Sequence, residues 1–488
     1  MKIAFINPPF LPRYSRESRS PAVSKGGTLY FPMWLSYAAG YCEVRGHNII
    51  LNDYSTRDVP WENALIEIEG FSPDIIFMNV TTGSSINDYL FAAALKEKLG
   101  CGVHISLVGT HVSAVPEDAL DNCRDCDSIC RGEFELTASH LADTIYKKAD
   151  LSMVTGISLR GKDGKIVNNP DRKLHDNLDD FPMVSSVYKK YLNHRDYFYG
   201  HSRHPIITIV AGRGCPHRCV FCVYPQIFLG HKYRKRTPAR VVDEMIYIEK
   251  NFHDVKEIMF EDDTLSFSKS HTIALCDEMI RRKTKLPWSA NSRAELDYET
   301  LNRMRKAGCR LVCVGFESGD QEMLNRMRKN IKLDTIREFV LAAKRAGILV
   351  HGCFMIGNPG ETSETLMKTL EFAKEINPDT AQFFPIMIYP GTQAYNWAKE
   401  NGYITAKGFS DWITEKGLHN SVVSTPQLSA RDLVEWCDRA RKEFYLRPSY
   451  FKYKLSQVFR HPGEFKRNLM GFARILPFIL RGTFGKKT

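Results

Sequence analysis

Three cysteines within eight residues, in the run Gly212-Arg-Gly-Cys-Pro-His-Arg-Cys-Val-Phe-Cys-Val-Tyr-Pro-Gln226, constrain this chain more than any other feature in it. Cys215, Cys219 and Cys222 read as Cys-x3-Cys-x2-Cys on a short loop preceded by glycine. Such a loop can close on one iron-sulfur cluster. A four-iron cubane that only carries electrons takes four protein thiolates, so three leave one iron open. An open coordination position marks a metal that takes a substrate, as it does in catalytic zinc sites. Two readings compete: zinc with His217 or His231 as a further ligand, and three unrelated buried thiols.

What surrounds the loop is the next question. A chain of 488 residues with 43% hydrophobic content is long enough for two or three cores. Residues 1–148 alternate short apolar runs with amphipathic helices, the pattern of a doubly wound parallel sheet. Strands are expected at Lys2 to Ile6, Asn48 to Leu51, Ile75 to Val80 and His104 to Val108, with a helix from Phe31 to Arg45. Ligands of such sheets sit beyond the carboxyl ends of the strands. Those ends are Asn7-Pro-Pro-Phe10, Thr81-Thr-Gly-Ser-Ser85 and Gly109-Thr-His-Val-Ser113, small and hydroxyl-rich, with no Gly-x-Gly-x-x-Gly. Cys123, Cys126 and Cys130 form a second triplet. Cys130 falls where the last strand should run, so this set reads as packed thiols.

Residues 149–203 read as a hairpin, Ile157 to Val167, and a linker draped over the junction. From 204 to 428 a strand-loop-helix unit recurs about six times, with strands at Ile206 to Val210, Lys256 to Phe260, Trp288 to Asn291, Leu311 to Phe316, Val350 to Ile356 and Thr380 to Ile388. The fold class is therefore α/β, a Rossmann-like first domain followed by a partial (β/α)6 barrel of the TIM type. Active sites of such barrels gather at the carboxyl ends of the strands. Here those ends carry Glu261-Asp-Asp-Thr264, Asn291 and Arg293, Glu317-Ser-Gly319 and Gly357-Asn-Pro-Gly-Glu361.

With Phe221 before its last cysteine, the loop resembles the signature of the radical S-adenosylmethionine superfamily. Val108-Gly-Thr-His-Val-Ser-Ala-Val-Pro-Glu117 and Arg131-Gly-Glu-Phe-Glu135 resemble the cobalamin-binding domain fused in front of many members. Gly230-His-Lys-Tyr-Arg-Lys-Arg-Thr-Pro238, Trp288-Ser-Ala-Asn-Ser-Arg293 and Tyr389-Pro-Gly-Thr392 look most like the hopanoid-biosynthesis enzymes that form a cyclitol ether. The anaerobic magnesium-protoporphyrin IX monomethyl ester cyclases are more distantly similar. The resemblance implies a 4Fe-4S cluster on Cys215, Cys219 and Cys222, S-adenosylmethionine on its open iron, and a 5'-deoxyadenosyl radical. It further implies Glu261 or Asp262 for the amino group of S-adenosylmethionine, Arg293 for its carboxylate, Glu317 and Ser318 beside the ribose, and the Gly357 backbone against adenine. Thr82, Gly109 and Thr110 would contact cobalamin. No Asp-x-His-x-x-Gly segment is present, so His111 is not expected to ligate cobalt.

The implied reaction is rearrangement or cyclisation of a lipid-type substrate, hopanoid or other isoprenoid. Cobalamin-dependent methylation of an unactivated carbon is the alternative, and an iron-sulfur protein bound to nucleic acid a third reading. An external electron donor such as flavodoxin or ferredoxin is implied. Thirteen cysteines and a start with only a four-residue apolar run point to a reducing cytoplasm. The extension 429–488 reads as helical. From Arg447 onward it holds about +9 of the net +11, with Phe451, Leu455, Phe459, Phe465, Leu469, Phe472, Ile475 and Phe478 among the basic residues. That composition suits an interfacial helix on an anionic membrane, and equally a helix packed on the barrel.

Overall fold

The computed structural model describes residues 1–161, 163–460 and 462–483. Its first sheet holds β1 (Lys2–Asn7), β2 (Asn48–Asp53), β3 (Ile75–Asn79), β4 (His104–Val108), β5 (Ser128–Cys130), β6 (Ile157–Arg160) and β7 (Ile166–Asn168). The order is β2-β1-β3-β4-β5-β6-β7, parallel as far as β5. Side chains alternate across a strand. Ile3, Phe5, Ile75 and Phe77 therefore enter one buried cluster while Ala4, Ile6, Ile76 and Met78 enter another, and helices cover both faces. The hairpin expected between the domains is hydrogen-bonded to this sheet, with β6 antiparallel to β5. Cys130 lies inside β5 with its thiol 3.4 Å from the Ser106 hydroxyl, and the Cys126 thiol donates to the Cys123 carbonyl at 3.2 Å. Those thiols pack, as the sequence implied.

The second sheet holds β8 (Ile206–Ile209), β11 (Glu257–Phe260), β12 (Trp288–Ser292), β13 (Cys309–Glu317), β14 (Leu349–Ile356) and β15 (Thr380–Pro385) in that order, all parallel. β8 and β15 do not pair with each other, so the barrel is open. Between β8 and β11 a two-stranded ribbon, β9 (Gly212–Arg213) against β10 (Arg234–Lys235), brackets the cysteine loop. The aromatic linker does lie across the junction. Phe31 stacks on Tyr188 and Tyr197 at 4.5 and 4.0 Å, and Ser185 donates to Glu244 on the barrel helix Pro238–Asn251.

The C-terminal extension packs on the barrel. Tyr445 hydrogen-bonds both backbone groups of Ala381 on the edge strand β15, which blunts that edge. Helices Pro448–Arg460 and Phe465–Arg481 follow. Between them Glu464 reaches the amino ends of the barrel strands, where it pairs with Arg203 (2.7 Å), Arg310 (3.1 Å) and Arg467 (2.7 Å), while Arg310 also grips Glu257. Arg474 lies 3.8 Å from the Phe198 ring centroid and Ile479 is buried. Phe451, Leu455 and Leu469 remain exposed; the side chains of Phe459, Phe465 and Ile475, and residues 484–488, lie outside the described residues. Among the described residues no helix is long and apolar enough to cross a membrane.

Three arginines hold the Glu464 carboxyl down to about 2, against the desolvation that burial imposes. A depressed carboxylate stabilises the fold fully above its ordinary value and loses that contribution as pH falls toward the folded value. Thermal melts should therefore show this contribution draining between about pH 4.5 and 2. Glu464→Gln should flatten that part of the profile and cost about 1–3 kcal/mol near neutrality, because Arg203 and Arg467 lose their carboxylate while Arg310 keeps Glu257.

Candidate active site

The cysteine loop is shaped by its backbone. At Gly214 (φ +83°) a Cβ would stand 2.3 Å from the Lys232 carbonyl, so only glycine lets the loop leave β9 so close to its return. The Cys215 amide bonds Gly230, and the Val220 amide bonds Met327 at 3.1 Å. The Gln226 side chain, on the π-helical turn Tyr224–Phe228, donates to the carbonyls of Cys219, Val220 and Cys222. Those bonds fix the backbone of the loop around its cysteines. Phe221 packs at the border of the core.

The zinc reading loses ground here. His231 Nδ1 lies 3.2 and 3.1 Å from the carbonyls of Cys215 and His217, so it donates to the loop. Among the described residues, these cysteines and histidines do not form a group whose ligand atoms converge within 4.8 Å, as one ion requires. A cubane, whose thiolates stand farther apart, suits them. Burial, with Asp263 second, pushes the Cys215 thiol up to about 11 and raises Cys222 well above its usual range. Thiolates there need a bound cation, which a cluster supplies.

Around the loop stand the groups expected past each strand. Asp262 accepts from the Ala211 amide at 2.9 Å, and Asp263 from Gly214 at 3.2 Å, so β11 carries carboxylates that hold the cysteine loop itself. Burial raises Asp262 to about 7. Its Oδ1 and Oε2 of Glu261 are buried with no hydrogen-bond partner, a pair of acceptors that fits an ammonium donor such as the amino group of S-adenosylmethionine. Arg293 is buried, bonded to Glu295 and to the Lys329 carbonyl. Glu317 sits in the left-handed region (φ +67°) at a bulge opposite β14, and its carboxylate pairs with Lys329 at 2.8 Å. It folds back over Gly315, where a Cβ would stand 2.1 Å from Oε1. Electrostatic neighbours of the thiols are thus Asp263, Arg19, Arg293 and Lys329. Ser318 Oγ accepts from the Asp320 amide and lies 3.1 Å from the Thr369 hydroxyl, and a Cβ on Gly357 would meet Leu433.

Across from this ring lies the carboxyl edge of the first sheet. Asn79 donates to Asn7 at 3.0 Å, and Gly109 (φ +113°) has no room for a Cβ, which would stand 2.5 Å from Asn79 Oδ1. Thr82 is buried with its hydroxyl 3.2 Å from His111 Nδ1, and Thr110 opens the short helix Thr110–Ala114. Hydroxyls, amides and a bare glycine form a cradle that fits the amide-rimmed face of a corrinoid. Burial lowers His111 to about 3, and its ring packs edge-on to Phe409 at 4.7 Å. Its Nε2 is buried with no hydrogen-bond partner.

The two edges are joined by charges that sequence reasoning did not single out. Glu133 and Glu135, after β5, pair with Arg234 and Arg213 of the ribbon, the latter at 2.7 Å. The segment from Pro8 to Pro32 carries Arg19 to Glu261 (2.7 Å) and Asp263 (3.3 Å), and the Ser20 hydroxyl to Tyr389 (2.9 Å). Its length was the available signal, since loops beyond about 12–15 residues are usually functional.

The radical SAM superfamily matches residues 209–373, and the B12 binding domain matches residues 19–142. The chain is 29% identical to an uncharacterized methyltransferase of Pyrococcus horikoshii, over 97% of this chain and 98% of that protein. It is 27% identical to an anaerobic magnesium-protoporphyrin IX monomethyl ester cyclase of Rubrivivax gelatinosus, over 93% and 80%. In fold it is similar to the radical S-adenosylmethionine methyltransferase TsrM from Kitasatospora setae, with a TM-score of 0.70 at 16% identity over 92% and 90%.

Anaerobic reconstitution should give about four irons per chain. Replacing Cys215, Cys219 and Cys222 together by Ala should remove them, as read by iron assay and absorption, while the protein stays soluble.

Proposed function

We propose that this enzyme, which carries a radical S-adenosylmethionine domain and a B12-binding domain, transfers a methyl group to an unactivated carbon. Bound together, a 4Fe-4S cluster, S-adenosylmethionine and cobalamin supply hydrogen abstraction and a methyl group. The observation that carries this reading is the apposition of the two carboxyl edges. Arg19 and the Glu133 and Glu135 pairs tie the carboxyl edge of the first sheet to the barrel and the cysteine loop. A substrate carbon held between them meets both reagents without moving. The methyltransferase similar over nearly its whole length adds support.

Between these edges Cys215, Cys219 and Cys222 hold the cluster, and the unpartnered oxygens of Glu261 and Asp262 accept from the amino group of S-adenosylmethionine. Tyr30 and Tyr199, in edge contact at 4.6 Å, pack with Ile206 and Met259. Of these Tyr30 alone is partly exposed, and its ring supports a substrate with an apolar part. The exposed Phe451, Leu455 and Leu469 beside basic residues support peripheral membrane contact when that substrate is a lipid. A reductant such as flavodoxin or ferredoxin delivers the electron.

Rearrangement or cyclisation, the reading the sequence motifs favoured, has less support than methylation; the cyclase relative keeps ring closure as the second reading. Product analysis separates them. Turnover of the cobalamin-loaded enzyme should release S-adenosylhomocysteine and 5'-deoxyadenosine together, with label passing from the S-adenosylmethionine methyl group to product. Deoxyadenosine alone, with no methyl transfer, would assign the enzyme to the rearranging class.

A further inference from the structure

One cluster of metal-binding side chains lies outside the cysteine loop and has no role in the reaction described above. On β14 the buried Val350, Gly352 and Phe354 face the helices, so His351 and Cys353 point the other way, into the barrel. Cys313 on β13 pairs in register with His351, and Cys353 lies opposite Gly315 one step along. Their ligand atoms all lie within 4.8 Å of one another, and all three residues are partly exposed. Tyr30 and Glu261 share this space with both thiols.

The spacing is informative. Two thiolates each about 2.3 Å from one tetrahedral zinc stand about 3.8 Å apart, and Cys313 Sγ lies 3.8 Å from Cys353 Sγ. The imidazole is already oriented by a neighbour on β15. The Thr380 hydroxyl is 2.7 Å from His351 Nδ1. Outer partners of this kind fix metal-ligating histidines. His201 stacks on His351 at 5.2 Å with its own Nε2 buried and unpartnered.

We propose that Cys313, His351 and Cys353 bind one zinc ion on the inner wall of the barrel, with its fourth position open to the lumen. Two thiolates neutralise the dication and one neutral imidazole completes a sulfur-rich set, the donor pattern of catalytic rather than structural zinc. The open position takes an oxygen of water or of the substrate, a hydroxyl, carbonyl or carboxylate. Zinc has no redox chemistry, so it fixes such a substrate without consuming the electron meant for the cluster.

The test uses iron-reconstituted full-length protein equilibrated with Zn²⁺ alone and freed of loose metal by gel filtration. About one zinc per chain should remain beside the iron, and absorption at the zinc edge should show two sulfurs at about 2.3 Å and a nitrogen at about 2.0–2.1 Å. Cys313→Ser with Cys353→Ser should lose that zinc and keep the iron; His351→Gln, a milder change, should weaken retention at least tenfold in competition with a chelator. No retained zinc in the wild type, zinc without sulfur neighbours, or zinc kept by the double variant would overturn the proposal. So would a Cys313–Cys353 disulfide in anaerobically purified protein, which would make the pair a redox couple.

Discussion

Arg213 is the residue on which the two halves of this molecule depend. Its guanidinium is 1% exposed, bonded to Glu135 at 2.7 Å and ringed by Trp34, Tyr37 and Phe181 at 5.0, 4.5 and 4.6 Å. Stripping water from such a charge is costly, and only good geometry with every partner in place offsets it. The partners come from three places: the first domain supplies Glu135, Trp34 and Tyr37, the linker supplies Phe181, and Arg213 itself is the last residue before the cysteine loop. Misplacing Glu135 would leave a buried ion unpaired and misplacing a ring would strip one of its flanks, so the arrangement favours one relative position of sheet, linker and loop.

That requirement fixes how the two carboxyl edges face each other. Arg16 with Asp88, Arg236 with Glu244, and Arg310 with Glu257 repeat the device, each pair buried, the first two tying a loop to a helix and the third joining two strands of the barrel. Hydrophobic contacts are non-directional and would let the domains slide. Charge-assisted pairs between planar guanidinium and carboxylate are directional, and they set where Arg19 meets Glu261 at the mouth of the barrel.

Much of this was legible in the chain. Strands such as Ile75–Asn79 and Glu257–Phe260 are short apolar runs with turn residues behind them, and the carboxyl-end residues Asn7, Thr82, Glu261, Arg293 and Glu317 follow from strand positions alone. The cysteine spacing carried the cluster. What the chain concealed are partners distant in sequence: nothing local announces that Glu135 meets Arg213, that Arg19 meets Glu261, or that Leu433 covers Gly357. The tail shows the same limit. Its basic and apolar residues suit a bilayer or a protein surface equally, and the choice rests on Glu464 finding Arg310, 154 residues away. The Cys313 and Cys353 pair was hidden differently, since two cysteines in separate strands become neighbours only through parallel register.

Glu464 sets an order of events during synthesis. Domains of a nascent chain fold from the amino end as they emerge, and every strand of the barrel leaves the ribosome before residue 464 does. Until then Glu257 alone pairs with the Arg310 guanidinium, and that of Arg203 lacks its carboxylate. The floor is thus closed by its latest-made part, and a chain stalled or truncated in the extension presents an unfinished barrel, a distinguishing mark on which cellular quality control can act before iron is committed to the cysteine loop.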